Sequence, residues 1–327
     1  MKDFNSDHQG LQAADRSMGN NSGSPQSAAG KPHVGLIGLG RMGLAIAERL
    51  LNAKFHVVGF DENAAAVKEF EKMGGEGVRT AGDVGSHTQI FWLMVPAGDA
   101  VDEVIDEIYP HLRHKAIVID GGNSKFTDSI KRAEKLNFQG VHYLDCGTSG
   151  GLHGRENGFS LMVGGNKEGF KQAEPLFKAI AAPKGYGHVG PSGSGHYVKM
   201  VHNGIEYALL QGYAEGLHLL HANSHYKELD LAQITDIWNH GSIIRSWILD
   251  LAHRILERDQ KFAEISGKIF ESGTGKWTVE EAHRHHVPVK LIEDALKIRA
   301  DSRESGGDYA TKLVALLRHE FGGHKLG

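Results

Sequence analysis

From His33 onward, short apolar runs punctuate the chain: "HVGLIG", "FHVVGF", "IFWLMV", "KAIVID", "VHYLDC" and "FSLMVGG". Each has strand length, is rich in β-branched or aromatic residues and is bounded by turn-forming residues. Between them, around 41–52, 63–73, 98–109 and 126–136, apolar positions recur at helical spacing. Such alternation predicts an α/β domain, with a mostly parallel sheet covered by helices on both faces. After "GHVGPSGSG" the strand-like runs stop, and helical periodicity dominates from Ser194 to about Arg318. The expected organisation is an α/β domain over 31–190 and an all-helical domain over 191–327. "AEISGKIFESGTGKW" reads as a turn-rich break within the helical half, and the Ser-, Asn-, Gln- and Gly-rich first thirty residues as a disordered tail.

One predicted helix breaks the binary pattern. In "SGHYVKMVHNGIEYALLQG", Lys199, His202, Asn203 and Glu206 interrupt an apolar stretch. At ~100° per residue the four share an arc of about 100°, so they point the same way. Val198, Met200, Val201, Ile205, Ala208, Leu209 and Leu210 are expected to pack against neighbours. Burying Lys and Glu is costly unless they pair or work. The "GPSGSG" entry puts the first turn of this helix at the domain boundary, where a cleft is expected. A lysine there, its pKa brought from ~10.4 toward 7–8 by burial and nearby positive charge, is a general base, with a glutamate as the complementary acid.

A second pattern opens the α/β half. "HVGLIGLGRMGLAIAERLL" is a strand, then Gly38-x-Gly40-x-x-Gly43, then a helix. This is the fingerprint of a Rossmann-like dinucleotide-binding domain: a tight turn, a close backbone approach to pyrophosphate and close helix–strand packing. Arg41 and Met42 fall inside it and join the expected cofactor contacts. Asp61 ends the next strand about twenty residues on, where a carboxylate binds ribose hydroxyls and repels a 2′-phosphate. NAD is therefore expected over NADP, which stays possible if a nearby Arg takes the phosphate. Val95, Ala97 and Asn123 lie on strand-end loops expected to line the same cleft.

Composition narrows the remaining choices. The 327 residues allow two domains, and 40% hydrophobic with 23% charged residues describes an ordinary globular protein. A net charge of -4 gives no global attraction to nucleic acid or acidic membranes, and neither is an expected partner. Cys146 is the one cysteine, which excludes an intrachain disulfide or a cysteine metal cluster and points to a reducing, cytoplasmic compartment. No window approaches the ~20 apolar residues of a membrane helix. The histidines of "HRHH" at 283–286 do not share a helix face, so no metal is expected.

Taken in order, "DGGNSKF", "GTSGGLHGRENGFSLMVGG", "GSGHYVKMVHNGIEY", "NHGSIIRSWILDL", "SGTGKWT" and "RHEFGGH" resemble segments of the 6-phosphogluconate dehydrogenase family, and the likeness runs over about 33–327. The length is similar to the family's short form. The resemblance implies oxidation of 6-phosphogluconate at C3, loss of CO2 and protonation of the enediol to ribulose 5-phosphate. It implies Lys199 as the base and Glu206 as the acid. Asn203 and His202 would orient the substrate, Asn123 would sit between nicotinamide and substrate, and Ser149, Gly150 and Gly151 would hold the C1 carboxylate. Tyr207, Thr274 and Arg299 match contacts at the phosphate end. Arg318 and His324, a pair of cations for the phosphate, match a tail that in the family reaches the partner subunit's site, which implies a homodimer or larger homo-oligomer. Ser272 departs from a Lys of the long form, a contact that Lys276 or an Arg would have to replace.

Two rivals remain. A β-hydroxyacid dehydrogenase of the 3-hydroxyisobutyrate or tartronate-semialdehyde type shares the glycine fingerprint, the "SGG" loop and the helix Lys, but usually has Asn where His202 stands and needs no proton donor to an enediol. A non-catalytic NAD-binding protein would have no reason to keep Lys199 and Glu206 together.

Overall fold

The computed structural model describes residues 33–226, 228–271 and 273–326. The expected tail over 1–30 and the departure at Ser272 lie outside the described residues. The first half runs β1 (His33–Ile37), α1 (Arg41–Asn52), β2 (His56–Phe60), α2 (Ala64–Lys72), β3 (Glu76–Gly77), α3 (Ala81–Gly85), β4 (Ile90–Leu93), α4 (Asp99–Ile108), β5 (Ile117–Asp120) and α5 (Phe126–Phe138). It continues through β6 (His142–Ser149), α6 (Gly154–Asn157), β7 (Phe159–Gly165), α7 (Lys167–Ile180) and β8 (Ala181–Gly190). Helices follow: α8 (Ser194–Ala222), α9 (Leu231–Asn239), α10 (Trp247–Arg258), α11 (Thr274–Arg284), α12 (Lys290–Ser305) and α13 (Tyr309–Gly322).

The strands form one sheet in the order β3-β2-β1-β4-β5-β6-β7-β8. Neighbours are parallel except for the antiparallel β6–β7 pair. The α/β class with a Rossmann-like order, followed by helices, is the class the hydrophobic pattern predicts. Strands β3 and β8 go beyond that pattern. β3 is two residues long. β8 carries Pro183 and several glycines, a composition that reads as a turn but suits an edge strand, where a missing N–H costs no ladder bond. Along β4, Trp92 joins the core on one face of the sheet while Phe91 and Leu93 join the core on the other, the alternation of a strand buried on both sides.

The helical half is fastened to this sheet at the start of α8. Its N-cap, Gly193, has φ 91° and no side chain to satisfy the free N–H groups of the first turn. Asp145, fully buried in β6, supplies the acceptor: its carboxylate takes the N–H of Gly193 at 2.7 Å and of His196 at 2.9 Å. A negative charge at this end also complements the helix dipole. The backbones are in close contact here. A Cβ on Gly195 would overlap the carbonyl oxygens of Asp145 and Met162, and one on Gly147 would come within 2.5 Å of Lys199 Cβ. Further along, α8 contributes Leu210, Ala214 and Leu217 to a separate core with Leu251, Phe262 and Leu313. No described helix is long and apolar enough to cross a membrane.

Because those carbonyls belong to the sheet and cannot move aside, Gly195→Ala is expected to destabilise the protein by about 1–3 kcal/mol, the usual cost of overpacking. Thermal unfolding measures it, and an unchanged midpoint would mean that α8 has room to shift on the sheet.

Candidate active site

A cleft of about 1350 Å³ lies where the carboxyl ends of the strands meet α8 and the end of α13. Its wall carries Met42, Ala97, Asn123, Ser149, Gly150, Gly151, Lys199, His202, Asn203, Glu206, Tyr207, Thr274, Arg318 and His324. Residues expected at a dinucleotide site and residues expected at a substrate site thus share one cavity.

Gly38 and Gly40 lie between β1 and α1, Arg41 and Gly43 in the first turn of α1, and Asp61 and Val95 just beyond β2 and β4, outside the lining of that cleft. Gly38 has φ +95°, and a Cβ there would sit 2.5 Å from Met94 O. A Cβ on Gly43 would overlap Gly38 O, whereas one on Gly40 would meet nothing within 4 Å. The loop is thus closed on its inner side and open at Gly40. Here α1 begins without a side-chain cap and without an acid in its first turn, so its N–H groups are available to an anion. Asp61 accepts the N–H of Leu39 at 2.6 Å and of Asn63 at 2.7 Å. It therefore braces the glycine loop as well as presenting charge at the end of β2. Val95 packs beneath Gly38, 3.2 Å from the position of a Cβ there. These features fit a dinucleotide.

Across the cleft, Asn123 (φ 57°) clamps β6: its Nδ2 donates to Thr148 O at 3.1 Å and its Oδ1 accepts the Thr148 N–H at 2.9 Å. The clamp leaves one amide proton for a ligand and holds the strand that runs into Ser149, Gly150 and Gly151. On α8 the polar stripe faces the cavity as one chain of contacts. Lys199 Nζ is 3.4 Å from His202 Nδ1, which is 3.1 Å from Asn203 Oδ1. Asn203 Nδ2 donates to Thr274 Oγ1 at 3.3 Å, and Glu206 lies 4.0 Å from His202. His202 Nδ1 thus faces a donor and an acceptor and can serve only one at a time, so its proton is linked to that of Lys199. Lys199 is 7% exposed, and burial lowers its pKa to about 8 against the opposing pull of Glu206. Burial and the Lys199 charge also lower that of His202.

The apolar residues of this helix divide. Met200 and Leu210 are buried as expected, but Val198, Ile205 and Leu209 are exposed on the cleft side, on the helix face that flanks the polar stripe beside His202.

At the far end, Arg299 from α12 is 1% exposed and stacks over the Tyr207 ring at 3.3 Å, with NH1 and NH2 lacking hydrogen-bond partners. Burial lowers its pKa to about 10, which leaves it a cation. Arg318 is 7% exposed and its pKa is lowered by burial. His324 corrects the expectation of paired cations: burial, then Arg318, Arg41 and Arg299, bring its pKa down to about 4, so it is a neutral donor or acceptor at pH 7. Lys276 is no substitute contact, lying exposed beside Glu280 at 3.9 Å. Within the single chain, Arg318 and His324 line the same cleft as Lys199 and Glu206. In "HRHH", Arg284 and His285 both bind Glu281, at 2.6 and 2.9 Å. Among the described residues no group of His, Cys, Asp or Glu is arranged to hold a metal.

The model of the NAD-binding domain of 6-phosphogluconate dehydrogenase matches residues 33–192, and that of the C-terminal domain of 6-phosphogluconate dehydrogenase matches residues 195–316. The chain belongs to the 6-phosphogluconate dehydrogenase family. Among relatives, it is 46% identical over 299 residues to an NAD(+)-dependent, decarboxylating 6-phosphogluconate dehydrogenase of Haloferax volcanii, covering 90% of this chain and 98% of that one. A solved family structure, the 6-phosphogluconate dehydrogenase of Plasmodium falciparum, aligns with a TM-score of 0.77 at 30% identity, covering 83% of this chain; this chain spans 62% of its length. A 3-hydroxyisobutyrate dehydrogenase of Mycobacterium tuberculosis aligns with a TM-score of 0.68 at 20% identity over 88% of this chain and 99% of that one, a likeness of fold.

In this member of the family, several residues that shape the site escape sequence reading. Arg132, on α5, donates to both Asp102 oxygens (2.8 and 2.7 Å) and to Gly98 O (2.9 Å), and lies 3.6 Å from Asp120. It thereby ties the start of α4 and the loop before it to the end of β5, and nothing in its local sequence marks it. Asp145 had a signal: a carboxylate inside the apolar run "VHYLDC" must find buried donors. Asp145→Asn would turn one acceptor oxygen into an N–H group facing a backbone N–H. It is expected to cost about 1–3 kcal/mol through an unsatisfied buried group. A lower melting point together with lower kcat would follow, and wild-type values of both would show that the cap does not hold α8.

Proposed function

We propose that the protein oxidises 6-phosphogluconate at C3 with NAD, releases C1 as CO2 and forms ribulose 5-phosphate. The observation that carries this reading is Lys199: a lysine buried at the cleft, held at a pKa of about 8, on the same helix face as Glu206. A base that is partly neutral near pH 8 suits proton abstraction from an alcohol. NAD, when bound, accepts the hydride. Lys199 Nζ takes the C3 hydroxyl proton and, as an ammonium, then stabilises negative charge on the C3 oxygen while the carboxylate leaves. Glu206 delivers the proton to the enediol carbon that was C2 of 6-phosphogluconate and becomes C1 of ribulose 5-phosphate. His202 and Asn203 hold hydroxyls, and Ser149 with the backbone of Gly150 and Gly151 holds the carboxylate. Arg299 and Arg318, with neutral His324, Tyr207 and Thr274, take the phosphate; the unpartnered guanidinium nitrogens of Arg299 support that assignment.

In the same reading residues 31–190 bind the dinucleotide and 191–327 bind substrate and form the dimer contacts. A homodimer or larger homo-oligomer belongs to the proposal, and the exposed apolar side of the cleft at Val198, Ile205 and Leu209 supports a covering second copy. NAD is preferred and NADP is the weaker alternative, because Asp61 places a carboxylate where a 2′-phosphate would lie.

Reduced-cofactor formation from 6-phosphogluconate, followed with CO2 release between pH 6 and 10, tests the reaction and the base together. The neutral amine is the active form, so kcat/KM should rise with pH through an inflection near 8 and then level off. No reduced cofactor with NAD or NADP would refute the activity, and a kcat/KM that stays flat from pH 6 to 10 would remove Lys199 as the base. Asp61→Ala should raise the NADP-to-NAD ratio of kcat/KM by roughly tenfold, equivalent to one charged contact. If that ratio stays put, selection lies elsewhere.

A further inference from the structure

We propose that Arg41 couples the dinucleotide site to the phosphate end of the cleft, an inference that rests on the function just given. Arg41 is the first residue of α1, at the open side of the glycine loop. Its NH1 donates to the carbonyl oxygen of Gly323 at 2.8 Å, a residue 282 positions away in the chain. Gly323 closes α13, between the two groups assigned to the phosphate, Arg318 and His324. The other side of this segment is fixed as well. Phe321 O lies so near Gly151 that a Cβ there would overlap it, and His319 Nδ1 donates to His324 O at 2.9 Å. Residues 321–324 are therefore a strap lying between the "SGG" loop and the glycine loop, with Arg41 as its fastening on the cofactor side. The charge of Arg41 also helps to keep His324 neutral.

Only one edge of the guanidinium is engaged. Arginine carries five N–H donors in a rigid fork, and among the described residues Nε and NH2 of Arg41 have no acceptor. Arg41 stands where α1 presents its uncapped N–H groups, the position suited to a pyrophosphate. With NH1 on Gly323 and the remaining donors on the pyrophosphate, one side chain spans both. Bound dinucleotide then fixes Arg41, Arg41 fixes the strap, and the strap presents Arg318 and His324 to the substrate already in place. Coupling of this kind is reciprocal, so substrate strengthens dinucleotide binding by the same factor. Lysine is a poor replacement here, because its ammonium lacks the planar fork whose separate edges reach acceptors on two sides.

Calorimetric titration of the full chain with 6-phosphogluconate, with and without saturating NADH, gives the coupling directly, because that pair does not react. In the wild type NADH should tighten 6-phosphogluconate binding by ~5-fold or more. In Arg41→Lys the tightening should disappear while NADH still binds, and in Arg41→Met both the tightening and much of the NADH affinity should be lost. A wild-type ratio of one, or an undiminished ratio in Arg41→Lys, would overturn the coupling. Absence of 6-phosphogluconate binding in both states would instead refute the substrate assignment, and the coupling would fall with it.

Discussion

The buried carboxylate of Asp145, set against the first turn of α8, is the contact on which the rest of the structure depends. It joins the sheet to the helical half through Gly193 and His196, six and three residues before Lys199, whose Cβ leaves no room for a side chain on Gly147. A helix whose first turn is fixed in this way carries its later residues in fixed directions, at ~1.5 Å and ~100° per residue. Lys199, His202, Asn203 and Glu206 thus inherit their aim into the cleft from a strand that none of them belongs to. The glycines at the junction let backbone meet backbone and leave no slack for the helix to turn.

The same close packing sets the chemistry. On a surface Lys199 would be almost wholly protonated and unable to accept a proton, but here sheet and helix remove it from water and its pKa falls to about 8. Burial treats the far end differently. Arg299 and Arg318 stay charged despite losing solvent, because a guanidinium starts so far above neutrality, whereas His324 among them is held neutral. One cavity therefore holds a proton acceptor near physiological pH at one end and permanent cations with open donor sites at the other. A phosphorylated hydroxy acid with a carboxylate needs both.

Much of this was legible in the chain itself. Strands β1, β2, β4, β5 and β6 announce themselves as apolar runs because they are largely buried on both faces, and β7 because one face is buried throughout. The glycine fingerprint is legible because the positive φ of Gly38 and the close packing at Gly43 exclude other residues there. β8 was not, since an edge strand can carry proline and glycine that elsewhere mean a turn. The exposure of Val198, Ile205 and Leu209 was hidden too: periodicity says which residues share a face, and only the neighbours say whether that face is covered.

By itself the sequence determined the α/β-then-helical order, the dinucleotide loop with Asp61 and the convergence of four polar side chains on one helix face. Local periodicity and local backbone requirements suffice for these. The tertiary structure alone decided that Arg132 ties the β4–α4 segment to the end of β5, that His324 is neutral and that Arg41 reaches Gly323. Each of these depends on groups brought together from distant parts of the chain, and on the water removed when they meet. Neither distance through space nor dielectric surroundings is written in the order of residues.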